Sequence, residues 1–249
     1  MTTQITQQTQ IDNRRTTAWP NTPKSDSGLP KVAVCIPFNS NWIPEWTEKM
    51  YLPLMYQPTN WCQKVAFLTR VPSISVARNT LVEQALNINA DYLLFLDSDI
   101  VMESPSDPNV ALSQLYQIMN KSKDTSDPHY KDGRIVSGIY RAKQKTGFSF
   151  AAWIKYQDKG FTPLASWQGN YLSVDVVGMG FCLIDLKIFK EIPKPWFVWN
   201  LPNGISEDFY FCSLAKQEGF DTHVFSDVKL SHLGTLKVKT DGTITVPDV

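Results

Sequence analysis

The chain has 249 residues, 43% of them apolar, with 24 basic and 24 acidic side chains and a formal net charge of zero. That composition supports a full core, and scattered, balanced charge argues against a nucleic-acid surface, which shows as a basic excess. No apolar run reaches the length of a membrane-spanning helix, and the Thr/Gln-rich start lacks a basic-then-apolar leader pattern, so a cytoplasmic location is expected.

Residues 1–30 carry almost no apolar periodicity and cannot bury enough surface to offset ordering entropy, so they read as a flexible N-terminal tail. A single domain is expected over 31–235, with 236–249 as a C-terminal extension. Val32-Ala33-Val34-Cys35-Ile36-Pro37 is a short β-rich run closed by proline, the first strand. A segment with helical character leads to a second strand at 64–68. A helix follows over 73–87, with Ser73 as its N-cap. The apolar run 92–96 is the third strand, 108–120 a further helix and 135–140 a further strand.

This alternation predicts an α/β fold with right-handed βαβ units on a mostly parallel sheet. Beyond Tyr140 the texture changes to short aromatic-polar alternations over 147–177, which suit antiparallel strands. Helices are expected over 185–191 and 207–218, the second stopped by Gly219. The four cysteines, Cys35, Cys62, Cys182 and Cys212, show no C-x-x-C pairing, and three lie among apolar neighbours. They read as small buried hydrophobes, not as zinc ligands or a disulfide framework.

The chemistry concentrates at Asp97-Ser98-Asp99, where an apolar strand runs into two carboxylates spaced i, i+2. Loops at the carboxyl edge of an open α/β sheet are where ligands bind. A short acidic loop there can hold Mg²⁺ or Mn²⁺ together with substrate phosphates, or can simply be an acidic turn. Ser206-Glu207-Asp208 opens a helix. Its carboxylates either complement the helix dipole, with Ser206 as N-cap, or accept a proton from an acceptor hydroxyl.

His232 is expected at a strand end, either as a structural side chain or as a neutral imidazole that completes a carboxylate-rich Mn²⁺ site with Asp97 and Asp99. His129 and His223 are assigned no role. Arg78 falls on the apolar face of its helix with Val82 and Ala85 and needs an anion, either an internal carboxylate or a nucleotide phosphate. Arg141, Lys143 and Lys145 form a basic loop suited to a diphosphate or to solvent. Gly178-Met179-Gly180-Phe181 interrupts a strand-like run, which points to a close backbone approach or a ligand passing over the sheet. Neither the G-x-G-x-x-G nor the Walker-type signature is present.

Taken in order, the opening strand at 32–37, Ser75-Val76-Ala77-Arg78-Asn79, Asp97-Ser98-Asp99, Gly178 to Phe181, Glu207-Asp208 and His232 resemble a GT-A type glycosyltransferase, similar to the family 2 and Anp1-like branches. The resemblance covers roughly 31–234. It implies a Rossmann-like mixed sheet and a Mn²⁺ or Mg²⁺ ion held by Asp99 with Asp97 and His232, bridging the diphosphate of a UDP- or GDP-linked sugar. It further implies nucleotide-sugar contacts from Pro37, Arg78, Asp97, Ser98, Gly178, Met179 and Gly180, and Glu207 or Asp208 facing a glycan or other hydroxyl acceptor. Inverting members use the helix-start carboxylate as base, whereas retaining members with a histidine ligand often lack one, and this chain has both features. Trp153, Trp167, Trp196 and Trp199 fall where acceptors would bind.

Three rival readings stand beside it. Phe95 to Val101 also fits the D-x-D-x-[TV] pattern of haloacid-dehalogenase-like phosphatases, although there the motif ends the first strand. A nucleotidyltransferase shares the nucleotide and metal needs, but a glycine-rich basic loop after the first strand is missing. A nucleotide-sugar or glycan-binding module without turnover is the non-catalytic alternative.

Overall fold

A computed structural model describes residues 28–38, 43–103, 106–122, 133–142, 149–157, 160–199, 205–233, 237–238, 240–241 and 244–245. The expected tail up to residue 27, His129, Lys143, Lys145 and Gly234 lie outside the described residues.

Strand β1 (Lys31–Pro37) leads into α1 (Pro44–Trp46), a π-helical stretch (Thr47–Tyr51) and α2 (Leu52–Tyr56), then β2 (Gln63–Thr69), α3 (Ile74–Asn87) and β3 (Tyr92–Leu96). After the acidic loop come β4 (Ile100–Met102), α4 (Pro108–Ser122) and β5 (Gly133–Ile139). Short strands follow, β6 (Ala152–Tyr156), β7 (Gly160–Pro163), β8 (Tyr171–Val174) and β9 (Val176–Val177). Then come β10 (Phe181–Asp185), α5 (Ile188–Glu191), α6 (Glu207–Gln217), β11 (Asp221–His232), β12 (Lys237–Val238) and β13 (Ile244–Thr245).

The main sheet runs in the order β13-β12-β11-β5-β10-β3-β1-β2. β1, β2, β3, β5 and β11 share one direction, and β10 lies antiparallel between β3 and β5. The fold class is therefore the expected one, a Rossmann-like mixed sheet, mostly parallel and flanked by helices. Period-two alternation explains its layers. In β1, Ala33 and Cys35 face one core with Leu81 and Val82 of α3 and Phe211 of α6, while Val32, Val34 and Ile36 face the other with Trp46, Met50 and Leu112. Every residue of β3 is buried, as its unbroken apolar run requires at the sheet centre. The predicted antiparallel texture is realised as a separate β7-β6-β9 sheet and by β8 on β11.

Two local expectations are corrected. Asp185 is the last residue of β10, paired with Tyr92, and its carboxylate accepts the Lys187 N–H at 3.1 Å, so the helix begins only at Ile188. Ser73 and Ser206 do hold extended N-cap positions, yet neither side chain makes a cap hydrogen bond. Beyond residue 235, β12 pairs with β11 at His232, and the Thr240 N–H and hydroxyl both donate to Glu103.

His223 sits buried in β11, stacked on Tyr171 at 4.5 Å, with no hydrogen-bond partner for Nδ1 among the described residues. Burial pushes its pKa down to about 4, with Asp221 pulling weakly the other way. The unfolded chain binds this proton below about pH 6.5 and the native state does not, so stability is complete above that pH and falls between there and about 4. His223→Phe keeps the stack and removes the titration. In urea unfolding it is expected to recover about 2–3 kcal/mol relative to wild type between pH 7 and 4.5. An unchanged difference across that range would dismiss the buried-imidazole account.

Candidate active site

The acidic loop is fixed from both ends by backbone pairing. At its start the Asp97 N–H donates to the Gly180 carbonyl at 2.9 Å, and the Ile100 N–H closes a turn onto the Asp97 carbonyl at 3.2 Å. At its end β4 pairs antiparallel with β11, setting Ile100 opposite His232, and the Leu233 N–H reaches the Asp99 carbonyl at 2.6 Å. The fold thus sets Asp99 beside His232 from residues far apart in the chain.

A cleft of about 270 Å³ opens against this loop at the carboxyl ends of β1 and β3. Pro37, Phe38, Val71, Pro72, Ile74 and Ala77 form its apolar wall, and Asp97, Ser98 and Asp99 its polar end. Open α/β sheets place ligands at that edge, and an apolar wall with a few convergent polar groups is the composition of a small-molecule site. Pro37, Asp97 and Ser98, expected at a nucleotide, share this cleft.

Arg78 lies behind the loop with 2% of its surface exposed, its guanidinium 4.8 Å above the Phe95 ring. Its Nη2 donates to both Asp97 oxygens at 3.2 and 3.3 Å, and Nε donates to Glu207 Oε1 at 3.2 Å and lies 3.8 Å from Asp208 Oδ1. Of the two anions open to it, Arg78 has the internal carboxylates, so its side chain braces acids and does not line the cleft. Burial opposes its charge, yet Asp97, Asp208 and Glu207 together raise its pKa above the usual value.

Three carboxylates around one guanidinium leave an excess of negative charge. At Asp97 and Asp208 it adds to the effect of burial. Burial raises the Asp97 carboxyl, with Arg78 and His232 opposing and Asp99 and Glu207 adding to the rise. Burial also pushes Asp208 well above the usual carboxylate range, against the pull of Arg78 and with the help of Glu207 and Asp97. Glu207 Oε2 and Asp208 Oδ1 are buried without hydrogen-bond donors among the described residues.

Carboxylate oxygens and an imidazole nitrogen are ligand types that Mn²⁺ takes. The His232 Nδ1 lies 2.6 Å from the Arg141 carbonyl, which can only accept, so Nδ1 carries a proton. Asp97, Asp99 and His232 are not gathered into one closed ligand cluster, since Asp97 turns both oxygens to Arg78. Asp99 and His232 remain neighbours, and Mg²⁺ or Mn²⁺ sites need only one or two protein carboxylates beside substrate phosphates and waters.

The glycine expectation resolves toward a close approach. A Cβ on Gly178 would collide with the Tyr140 hydroxyl, and one on Gly180 would lie 2.8 Å from Ile100 Cγ1 and 2.9 Å from that hydroxyl, so Gly178 makes room for the ring and Gly180 for the ring and Ile100. Met179 between them is fully buried in the core. Arg141, expected near a diphosphate, donates from Nε to the Thr240 carbonyl at 3.0 Å and stacks on Phe150. Among the tryptophans, Trp196 is core, Trp153 packs on Phe209 and Trp167 on Phe150, while Trp199 keeps 47% of its surface exposed.

Sequence reasoning missed Tyr140, Asn79 and Glu103. Asn79 Oδ1 accepts the Trp196 and Phe197 N–H groups and Nδ2 donates to the Phe197 carbonyl, tying the segment before α6 to the helix of Arg78. Its place directly after Arg78 was the available signal. Tyr140 offered only the two glycines, which require a bulky neighbour without naming it.

No protein-family model matches the chain, and no curated protein matches it by sequence. Among solved structures, A197 from STIV aligns with a TM-score of 0.59 over 89% of this chain and 95% of its own, at 21% identity. More remote likenesses include UDP-glucose pyrophosphorylase complexed with UDP-glucose, at TM-score 0.45 and 9% identity over 80% of this chain and 90% of that one. Another is a glycosyltransferase involved in glycosylation of the major capsid of PBCV-1, at TM-score 0.34 and 13% identity over 67% and 70%. The chain accordingly shares its fold with A197, a likeness that spans nearly the whole of both proteins.

Proposed function

We propose that the chain is a metal-dependent glycosyltransferase that moves a sugar from a UDP- or GDP-linked donor to an acceptor hydroxyl on a glycan or other molecule. The observation that carries this reading is the Asp97-Ser98-Asp99 loop at the carboxyl end of the central strand, forming the polar end of an apolar cleft with His232 alongside. Asp99 and His232 would hold the Mn²⁺ or Mg²⁺ ion, with Asp97 steadied by Arg78. When bound, the ion supplies Lewis-acid neutralisation of charge on the departing diphosphate. The wall from Pro37 to Ala77 shields the nucleoside from water. Asp208, less enclosed than Glu207 and with a raised pKa, accepts the acceptor's proton, while Glu207 braces Arg78. The exposed Trp199 offers an aromatic face for sugar stacking.

Calorimetric titration with UDP, GDP and their sugar conjugates tests the reading, in Mn²⁺ and then in EDTA. One nucleotide is expected to bind in a metal-dependent manner, and Asp99→Ala should abolish the metal dependence without changing the thermal unfolding midpoint by more than a few degrees. Absence of nucleotide binding, together with hydrolysis of an aryl phosphate, would replace the transferase by a phosphatase.

A further inference from the structure

We infer that Tyr140 is a positioning residue that joins the two sides of the acidic site, and the inference rests on the donor-binding reading above. The phenol is buried directly after β5. Its hydroxyl accepts the Gly180 N–H at 2.8 Å, and the Gly180 carbonyl in turn accepts the Asp97 N–H at 2.9 Å. On the other side the Tyr140 ring meets His232 edge-on, with centroids 5.2 Å apart and planes at 83°. The residue that follows supplies the carbonyl to which His232 Nδ1 donates. One side chain therefore touches both the backbone that carries Asp97 and the imidazole on β11.

Two further observations mark this as a built contact. Gly178 has room for no Cβ because of this ring, and Gly180 because of this ring together with Ile100. The hydroxyl also keeps a proton to donate after accepting the Gly180 N–H. Groups one step behind metal ligands orient them, and their loss costs about 10–100-fold in metal affinity.

The test is Tyr140→Phe, which keeps the ring and deletes the hydroxyl, compared with wild type in UDP and GDP titrations with Mn²⁺ and with EDTA. The variant is expected to lose about 10-fold or more of the metal-dependent gain in affinity while its metal-free affinity is unchanged. Hydrogen exchange without ligand should show faster exchange of the Gly180 and Asp97 amides at an unaltered global rate. Wild-type gain in Tyr140→Phe, or an equal loss with and without metal, overturns the positioning role and leaves the donor reading standing. Wild-type protein that binds neither nucleotide overturns both, and the exchange result then reports the contact alone.

Discussion

Arg78→Met is expected to destabilise the protein by about 3–5 kcal/mol, the cost of removing one partner from a buried ionic cluster. The guanidinium is the countercharge for Asp97 and Glu207 and lies within ion-pair reach of Asp208. Methionine fills similar volume over Phe95, so the loss is electrostatic rather than a cavity. For a chain of this size that corresponds to a fall of about 6–20 °C in unfolding midpoint. The loss should shrink as pH is lowered, because carboxylates freed of Arg78 take up protons and neutralise their own repulsion. Arg78→Lys should recover only part of the stability, since a point charge does not reproduce the forked contact to two acids. Adding Glu207→Gln to Arg78→Met should restore part of it. Thermal unfolding at pH 7.5 and 5.5 measures all of this, and a midpoint within two degrees of wild type would mean that water, not Arg78, satisfies these acids.

That cluster also marks the limit of what the sequence carried. β1 and β3 were legible because a strand buried on both faces must be apolar throughout, and the helix of Leu81 and Val82 because its apolar spacing is local. Asp97 and Asp99 were legible because two carboxylates at a strand end are a local signal. The place of Arg78 on an apolar face announced a buried anion. Which anion depended on Glu207, brought to it from the far end of the chain. The antiparallel insertion of β10 between β3 and β5 was not legible, because the alternation of a strand carries no record of its direction. Nor was the contact of Tyr140 with Gly180, which only β5, β10 and β3 packed side by side create. Local chemistry was readable, and the pairing of distant groups was not.

Asp208→Asn is expected to separate catalysis from stability in opposite directions. The Asp208 carboxyl is pushed well above its ordinary range by burial first and by Glu207 and Asp97 next, so the native state holds this proton more tightly than the unfolded chain does. A carboxyl whose folded pKa is raised stabilises the fold below its unfolded pKa, and that contribution is lost as pH rises through the folded value. At pH 7.5 the ionised form is therefore a burden, and the neutral amide, nearly the same shape, should raise the unfolding midpoint measured in EDTA. Turnover should move the other way. An amide cannot take the proton from an acceptor hydroxyl, and loss of a general base lowers the rate about 10²–10⁴-fold. Donor affinity should stay within about twofold of wild type, because Asp208 lies outside the lining of the cleft. Stability that rises while transfer disappears is what a base held under electrostatic stress produces, a trade of stability for activity. Normal turnover in the amide variant would remove Asp208 from the reaction and leave Asp97 and Glu207 as the acids to test next.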